Sequence, residues 1–377
     1  LKIPFNKPAM VGNELEYIQD TVNRGQLSGN GFYTKQCHAF FESRYGFPSV
    51  FLTTSGTDAL EMAALLLDLN PGDEIILPSF AFVSTANAFA LRGAQLRFAD
   101  SESRTPNLDA HSIESLITEK TRAIVLIHYG GVACDMDAIL SIARKHSLVL
   151  IEDAAQAIDA CYQNKPLGSL GHMAAFSFHE TKNVISGEGG LLVINDVSLV
   201  ERAELIWEKG TNRAAFFRGE IGKYEWMDLG SSFLASELTA AYLYGQLEHI
   251  DRIQNKRLNI WNWYQERLQH LGDKGHIGLP FIPDYAQHNG HIFYILCSDL
   301  TERNALLCHL RERGIRAIFH YLSLHKSPYF KLKHDERELP NADRFMDCLI
   351  RLPMYYEMTE SEVDFITKAI FEFYRKQ

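Results

Sequence analysis

Two short, almost wholly apolar runs, residues 123–128 and 148–152, flank a helix-patterned stretch from 135 to 146. Strands joined by a crossover helix pair parallel, and a parallel pair must be covered on both faces, so the chain is bound to an α/β architecture. Other segments fit the same plan. Leu60, Ala63, Ala64 and Leu67 recur at helical spacing after the turn at Ser55–Asp58, and Asn70-Pro71-Gly72-Asp73 separates them from a strand at 74–77. The runs 174–178 and 190–195 are expected to extend the parallel pattern, before a mostly helical stretch over 236–271. The remainder mixes short strands such as 292–297 with helices such as 303–313. The expectation is a large domain over 1–250 with a mainly parallel central sheet, followed by a smaller α+β domain over 251–377.

Composition removes several classes of function. A formal net charge of -10 argues against a broad grip on nucleic acid, which needs a surplus of Lys and Arg facing phosphates. The apolar runs are too short to cross a bilayer, and no charged-then-apolar leader opens the chain, so no membrane partner is expected. Six scattered cysteines, with no CxxC pair, fit reduced thiols and a cytoplasmic location. Neither a GxGxxG after a strand nor a GxxxxGK[ST] is present, so dinucleotide and P-loop sites lose their usual support.

Three strings carry chemistry. In Ser177-Phe178-His179-Glu180-Thr181-Lys182-Asn183, followed by Gly187-Glu188-Gly189-Gly190, a buried strand runs into a hydroxyl, an imidazole and an amine before a Gly-rich turn. Open α/β sheets place ligands beyond the carboxyl ends of their strands, although a lone Lys182 also reads as an ordinary surface lysine. Asp153 ends the strand before Ala154-Ala155-Gln156, where a carboxylate can hold a heterocyclic nitrogen in its cationic form or simply cap a turn. Thr54-Ser55-Gly56-Thr57 opens a helix, whose free N–H groups favour a phosphate or just an N-cap.

Together these strings, in their order and spacing, resemble the sugar aminotransferase family of fold-type-I pyridoxal phosphate enzymes along essentially the whole chain. The resemblance implies pyridoxal 5'-phosphate as cofactor, Lys182 as its Schiff-base lysine, Asp153 as partner of the pyridine nitrogen and Gln156 as donor to the phenolic oxygen. It further implies that Ser177, Gly56 and Thr57 hold the phosphate and that Phe82 lies over the ring. Many members carry an Asn in the segment 228–236 that reaches the neighbouring subunit's phosphate; here Leu234 stands at that position, with the hydroxyls of Ser231 and Ser232 nearby.

The strings at 208–213, 216–219 and 228–232 are most similar to members that make dTDP-4-amino-4,6-dideoxygalactose. They imply transfer of an amino group from L-glutamate to C4 of a dTDP-linked keto sugar, in a homodimer with shared active sites. By the same likeness His320, Tyr321 and His325 would contact the sugar nucleotide, and Lys209 and Arg213 would neutralise its diphosphate. No third ligand accompanies the two histidines at a recognisable spacing, so no metal is expected. Rival readings are transfer to another nucleotide-linked keto sugar, at C3 or with gluco stereochemistry at C4, and a non-catalytic regulator. A dehydratase of the same fold would carry His where Lys182 stands.

Overall fold

The computed structural model describes residues 2–375, so the extreme ends of the two expected domains lie outside the described residues. The central strands are β1 (Ser49–Thr53), β2 (Glu74–Pro78), β3 (Gln95–Ala99), β4 (Thr121–Ile127) and β5 (Val149–Asp153). A small ladder of β6 (Cys161–Tyr162) and β7 (Lys165–Pro166) interrupts them before β8 (Met173–Ser177) and β9 (Gly190–Ile194). Seven of these strands form one sheet in the order β1-β9-β8-β5-β4-β2-β3.

The alternation of side chains along the strands explains why both faces are covered. Leu52, Ile124, Leu126, Leu150 and Val193 enter one core cluster, while Phe51, Ala123, Val125, Ile151 and Leu192 enter another. Helices on each face complete these layers. Asp135 caps the crossover helix Met136–Lys145 by accepting from the Ala138 N–H, and this helix links β4 to its parallel neighbour β5 as expected. Parallel pairing also joins β2 to β3 and β4, and β5 to β8.

The run 190–195 departs from the expected parallel pattern, because β9 lies antiparallel to both β8 and β1. The connection between β8 and β9 holds no crossover helix. It folds back on itself, with Phe178 N–H donating to Gly189 O at 2.8 Å and Glu180 N–H to Gly187 O at 2.9 Å. A connection closed in this way returns the chain along its neighbour. The reversal puts the start of β9 at the same sheet edge as the carboxyl ends of the other six strands.

The expected helical stretch 236–271 is two helices, Glu237–Leu247 and Ile250–Asp273. The second one spans two cores: Ile250 and Ile253 belong with the sheet, whereas Ile260, Tyr264, Leu268 and Leu271 join a third cluster. That cluster is otherwise built from residues 277–374 and from Ile3, which bridges to Ile315. A further short strand, β10 (Ala286–Gln287), adds to β6. The carboxyl-terminal part contains an antiparallel sheet of β11 (Tyr294–Leu296), β12 (Ile318–Phe319) and β13 (Leu349–Arg351), ordered β11-β13-β12. Among the described residues no helix is long and apolar enough to cross a membrane.

Candidate active site

Adjacent carboxylates at the end of β5 have opposite fates because successive side chains point to opposite faces. Glu152 is fully buried and accepts from the N–H groups of Gly168, Leu170 and Gly171, while its Oε2 lies 2.9 Å from His128 Nε2. It is a structural tie. Asp153 accepts from Thr85 Oγ1 at 2.6 Å and from the Ala155 N–H at 3.1 Å. Burial raises its pKa, opposed by these hydrogen bonds and by the positive charge of Lys182.

Lys182 sits in the β8–β9 connection, its N–H bonded to His179 O at 2.9 Å. The next residue fixes that connection: Asn183 Nδ2 donates to Gln254 Oε1 at 2.9 Å and to Asn289 O at 3.0 Å, and its Oδ1 lies 2.8 Å from His291 Nδ1. Burial of the Lys182 ammonium lowers its pKa to about 8; Asp153 opposes this shift and the like charge of Arg351 adds to it. An amine in that range is neutral far more often at neutral pH than a free lysine, as a nucleophile or proton carrier requires.

Beside this pair, close backbone approach builds a cup. The helix Gly56–Leu66 begins where Ser55 Oγ accepts from the Asp58 N–H at 3.0 Å. A Cβ on Gly56 would lie 2.8 Å from Ser177 Cβ, and one on Gly190 would lie 2.2 Å from Ser55 O, so both glycines are needed for the helix to start against β8 and β9. Thr57 Oγ1 donates to Ser84 Oγ at 2.8 Å. Free N–H groups of a first helical turn, with the hydroxyls of Thr57, Ser84 and Ser177 near them, are the kind of donors that suit an anion.

Aromatic groups close the other side. Phe82 is 53% exposed at the start of the helix Val83–Ala90, with its ring centroid 5.8 Å from that of Tyr321. Gln156 is held by the Gly130 N–H on its Oε1 at 2.7 Å, and its Nε2 donates to the Tyr321 hydroxyl at 3.1 Å. His320 Nδ1 lies 2.9 Å from the buried Tyr129 hydroxyl, and burial with the charges of Arg351 and Lys182 keeps its imidazole neutral, well below the usual pKa.

The structure thus brings Lys182, Asp153, Gln156, Ser177, Gly56, Thr57, Phe82, His320 and Tyr321 to one sheet edge; His325, Lys209 and Arg213 make other contacts. His325 is 5% exposed, with Nδ1 2.7 Å from Ser79 Oγ and Nε2 3.6 Å from Asp343 Oδ1. It anchors its loop to the end of β2. Lys209 is exposed, and Arg213 lies over the Phe217 ring at 4.9 Å. Their segment returns to the cup through a Thr53–Leu234 bridge and the Thr54 N–H on Phe233 O, while Ser231 and Ser232 stay exposed. Thr85, Ser84 and Tyr129 contact these residues and were not singled out by the strings. Thr85 and Ser84 lie just after Phe82, but only the fold turns their hydroxyls toward Asp153 and Thr57.

An amine facing a buried carboxylate, an anion cup and an exposed aromatic ring fit the amine-reactive aldehyde, pyridine nitrogen, phosphate and ring face of pyridoxal 5'-phosphate. Comparison with known proteins agrees. Residues 8–371 match the DegT/DnrJ/EryC1/StrS aminotransferase family. The chain is 32% identical over 377 residues to the spore coat polysaccharide biosynthesis protein SpsC of Bacillus subtilis, covering 98% of this chain and 96% of that protein. It is also 32% identical over 376 residues to the GDP-perosamine synthase of Caulobacter vibrioides, covering 98% and 97%. Among solved structures, the aminotransferase TlmJ from Streptoalloteichus hindustanus superposes with a TM-score of 0.92 at 27% identity, over 100% of both chains.

Proposed function

Since the chain belongs to the DegT/DnrJ/EryC1/StrS aminotransferase family, and is accordingly a pyridoxal-phosphate-dependent sugar aminotransferase, we propose that it moves the amino group of L-glutamate to C4 of dTDP-4-keto-6-deoxy-D-glucose. The product is dTDP-4-amino-4,6-dideoxy-D-galactose. The observation that carries the transfer chemistry is the juxtaposition of Lys182 and Asp153, each within reach of the other's charge, beside the cup at Gly56. The choice of sugar rests on the likeness at 208–213, 216–219 and 228–232.

The cofactor, when bound, supplies the electron sink that lets a Cα proton leave. Every other task falls to the chain. Lys182 Nζ would carry the cofactor and, once free, would take up and return the proton of the substrate carbon. Asp153 keeps the pyridine nitrogen protonated, and Thr85 holds that carboxylate in place. Gln156 Nε2 donates to the phenolic oxygen, while Gly56, Thr57 and Ser177 hold the phosphate and Phe82 fixes the plane of the ring. His320 and Tyr321 contact the sugar. Lys209 and Arg213 serve a diphosphate from the exposed segment that carries them, which suits a shared site in a homodimer. Phe217, Trp226, Met227 and Leu229, 67%, 78%, 55% and 55% exposed, supply the apolar surface that a second copy would cover. The six free cysteines suit a cytoplasmic location.

Spectral titration of the cofactor-loaded protein tests the reading. L-glutamate should shift the visible-edge band, and dTDP-4-keto-6-deoxyglucose should restore it with release of the amino sugar. A second reading, transfer to another nucleotide-linked keto sugar, is favoured by the likeness to a GDP-perosamine synthase. Faster restoration by a GDP-linked 4-keto sugar, or by a 3-keto sugar, would replace the first reading with the second.

A further inference from the structure

Lys182 and Gln156 stand on separate turns outside the ladders of the large sheet. Gln156 follows β5 in consecutive tight turns, with the Ala157 N–H on Ala154 O at 2.8 Å and the Ala160 N–H on Ala157 O at 3.0 Å. Lys182 lies inside the loop that the Glu180 N–H closes on Gly187 O at 2.9 Å. Buried carbonyls in such turns need donors from elsewhere, and those donors select one arrangement of the turn.

A single residue between β10 and β11 reaches both turns. Asn289 is 1% exposed; its Nδ2 donates to Gln156 O at 2.8 Å and to Ile158 O at 2.7 Å, and its Oδ1 accepts from the His291 N–H at 3.0 Å. Its own carbonyl accepts from Asn183 Nδ2 at 3.0 Å, one residue beyond Lys182. The main chain makes room for this amide. Gly131 has a φ of +78°, and a Cβ there would lie 1.8 Å from Asn289 Oδ1 and 2.9 Å from Gln156 O. The preceding Gly130 N–H holds Gln156 Oε1 at 2.7 Å, so Asn289 packs against the turn that orients the Gln156 side chain as well as bonding to the Gln156 main chain.

We propose that Asn289 is a positioning residue that keeps the Gln156 amide and the Lys182 amine in register by bonding to the main chain on both sides of the site. This rests on the roles given above to Lys182 and Gln156. The aldehyde and the phenolic oxygen of pyridoxal phosphate are carried by adjacent ring carbons, so the amine that meets one and the amide that meets the other need a fixed mutual placement. Asn289 acts through these residues, and its two N–H bonds are what the role requires. An Asp in its place would keep the shape and the bond from His291 but turn an oxygen toward the carbonyls of Gln156 and Ile158.

The test compares Asn289→Asp with Gln156→Ala and Asn183→Leu in the cofactor-loaded protein. The position of the visible-edge band reports the donor on the phenolic oxygen, and the glutamate half-reaction with α-deuterated against ordinary L-glutamate reports the proton step at Lys182. Gln156→Ala should move the band, and Asn183→Leu should slow the proton step. Asn289→Asp should do both, with the band moving as in Gln156→Ala, the half-reaction about tenfold or more slower, a larger isotope effect and half-saturating glutamate within about twofold of the parent. A merely structural role lowers the unfolding midpoint while band, isotope effect and rate per folded molecule stay at the parent values, and that result overturns the proposal. A change in the band alone, or in the proton step alone, also overturns it, since register links the two. If Asn289→Asp does not load cofactor, Asn289→Ser is judged by the same criteria. A parent spectrum that no amino acid shifts, or borohydride labelling of a different lysine, would instead sink the assigned roles, and both are read without any variant.

Discussion

Lys182 couples chemistry to stability. Its pKa in the folded chain is about 8, below the 10.5 of a free lysine, so between those values the unfolded chain holds the extra proton. Stability therefore rises with pH across that window. The penalty of burying the ammonium is on the order of 3 kcal/mol, complete below pH 8 and gone above 10.5. Lys182→Met should raise the unfolding midpoint of the cofactor-free protein at pH 7 and flatten its slope between pH 8 and 10.5; an unchanged slope would place that titration on another group. The same substitution should abolish transfer, and borohydride reduction of the loaded parent should label Lys182 in a peptide map. For Asp153→Asn, the expected result is retained cofactor with turnover reduced about 100-fold or more, because a neutral amide no longer stabilises a protonated ring nitrogen. Equal rates in variant and parent would make Asp153 a strand-end cap.

Among elements, the segment from β12 to Lys326 shows how one loop serves two tasks. His320 and Tyr321 face Tyr129 and Gln156, whereas His325 points into a buried nook with Ser79 and Asp343. Removing a buried hydrogen-bonding side chain costs about 1–3 kcal/mol. His325→Ala should therefore lower the unfolding midpoint and slow the glutamate and sugar half-reactions together, as the loop loosens. Slowing of the sugar half alone would support the direct substrate contact that the family likeness implies. The two halves share one cofactor but meet different ligands, so separate kinetics distinguish these outcomes.

At the scale of the molecule, the segment with exposed Phe217, Trp226 and Leu229 is tied to the cup by the Thr53–Leu234 bridge, and we propose that a second subunit covers it. Trp226→Glu should shift sedimentation from dimer to monomer, leave far-ultraviolet circular dichroism unchanged and lower transfer activity. A monomeric parent would end the shared-site proposal. The division into units over 1–250 and 251–377 is likewise our proposal, supported by the separate apolar cluster of the carboxyl-terminal part. The helix Ile250–Asp273 connects these cores, so any motion between them must bend or tilt that helix.

The sequence by itself determined where the buried strands end in polar side chains. A buried apolar run that stops in a polar side chain marks a sheet edge, which drew attention to Asp153, Ser177 and Lys182, but taken singly they read equally as a cap or a surface charge, and their roles came from the family resemblance of the strings together. The parallel core around β4 and β5 was legible, since periodicity and a crossover helix are written along the chain. What lay beyond was decided in three dimensions. The direction of β9 depended on how the Lys182 connection folds back, and the anchoring of His325 depended on a serine 246 residues away. Arg351 reads as an ordinary charged residue in the sequence; only the pairing of β13 with β11 and β12 and the ring of Phe5, distant in the chain, bury it. Periodicity fixes which residues share a strand or a helix face, but the electrostatic setting of a side chain is fixed by neighbours distant in the chain.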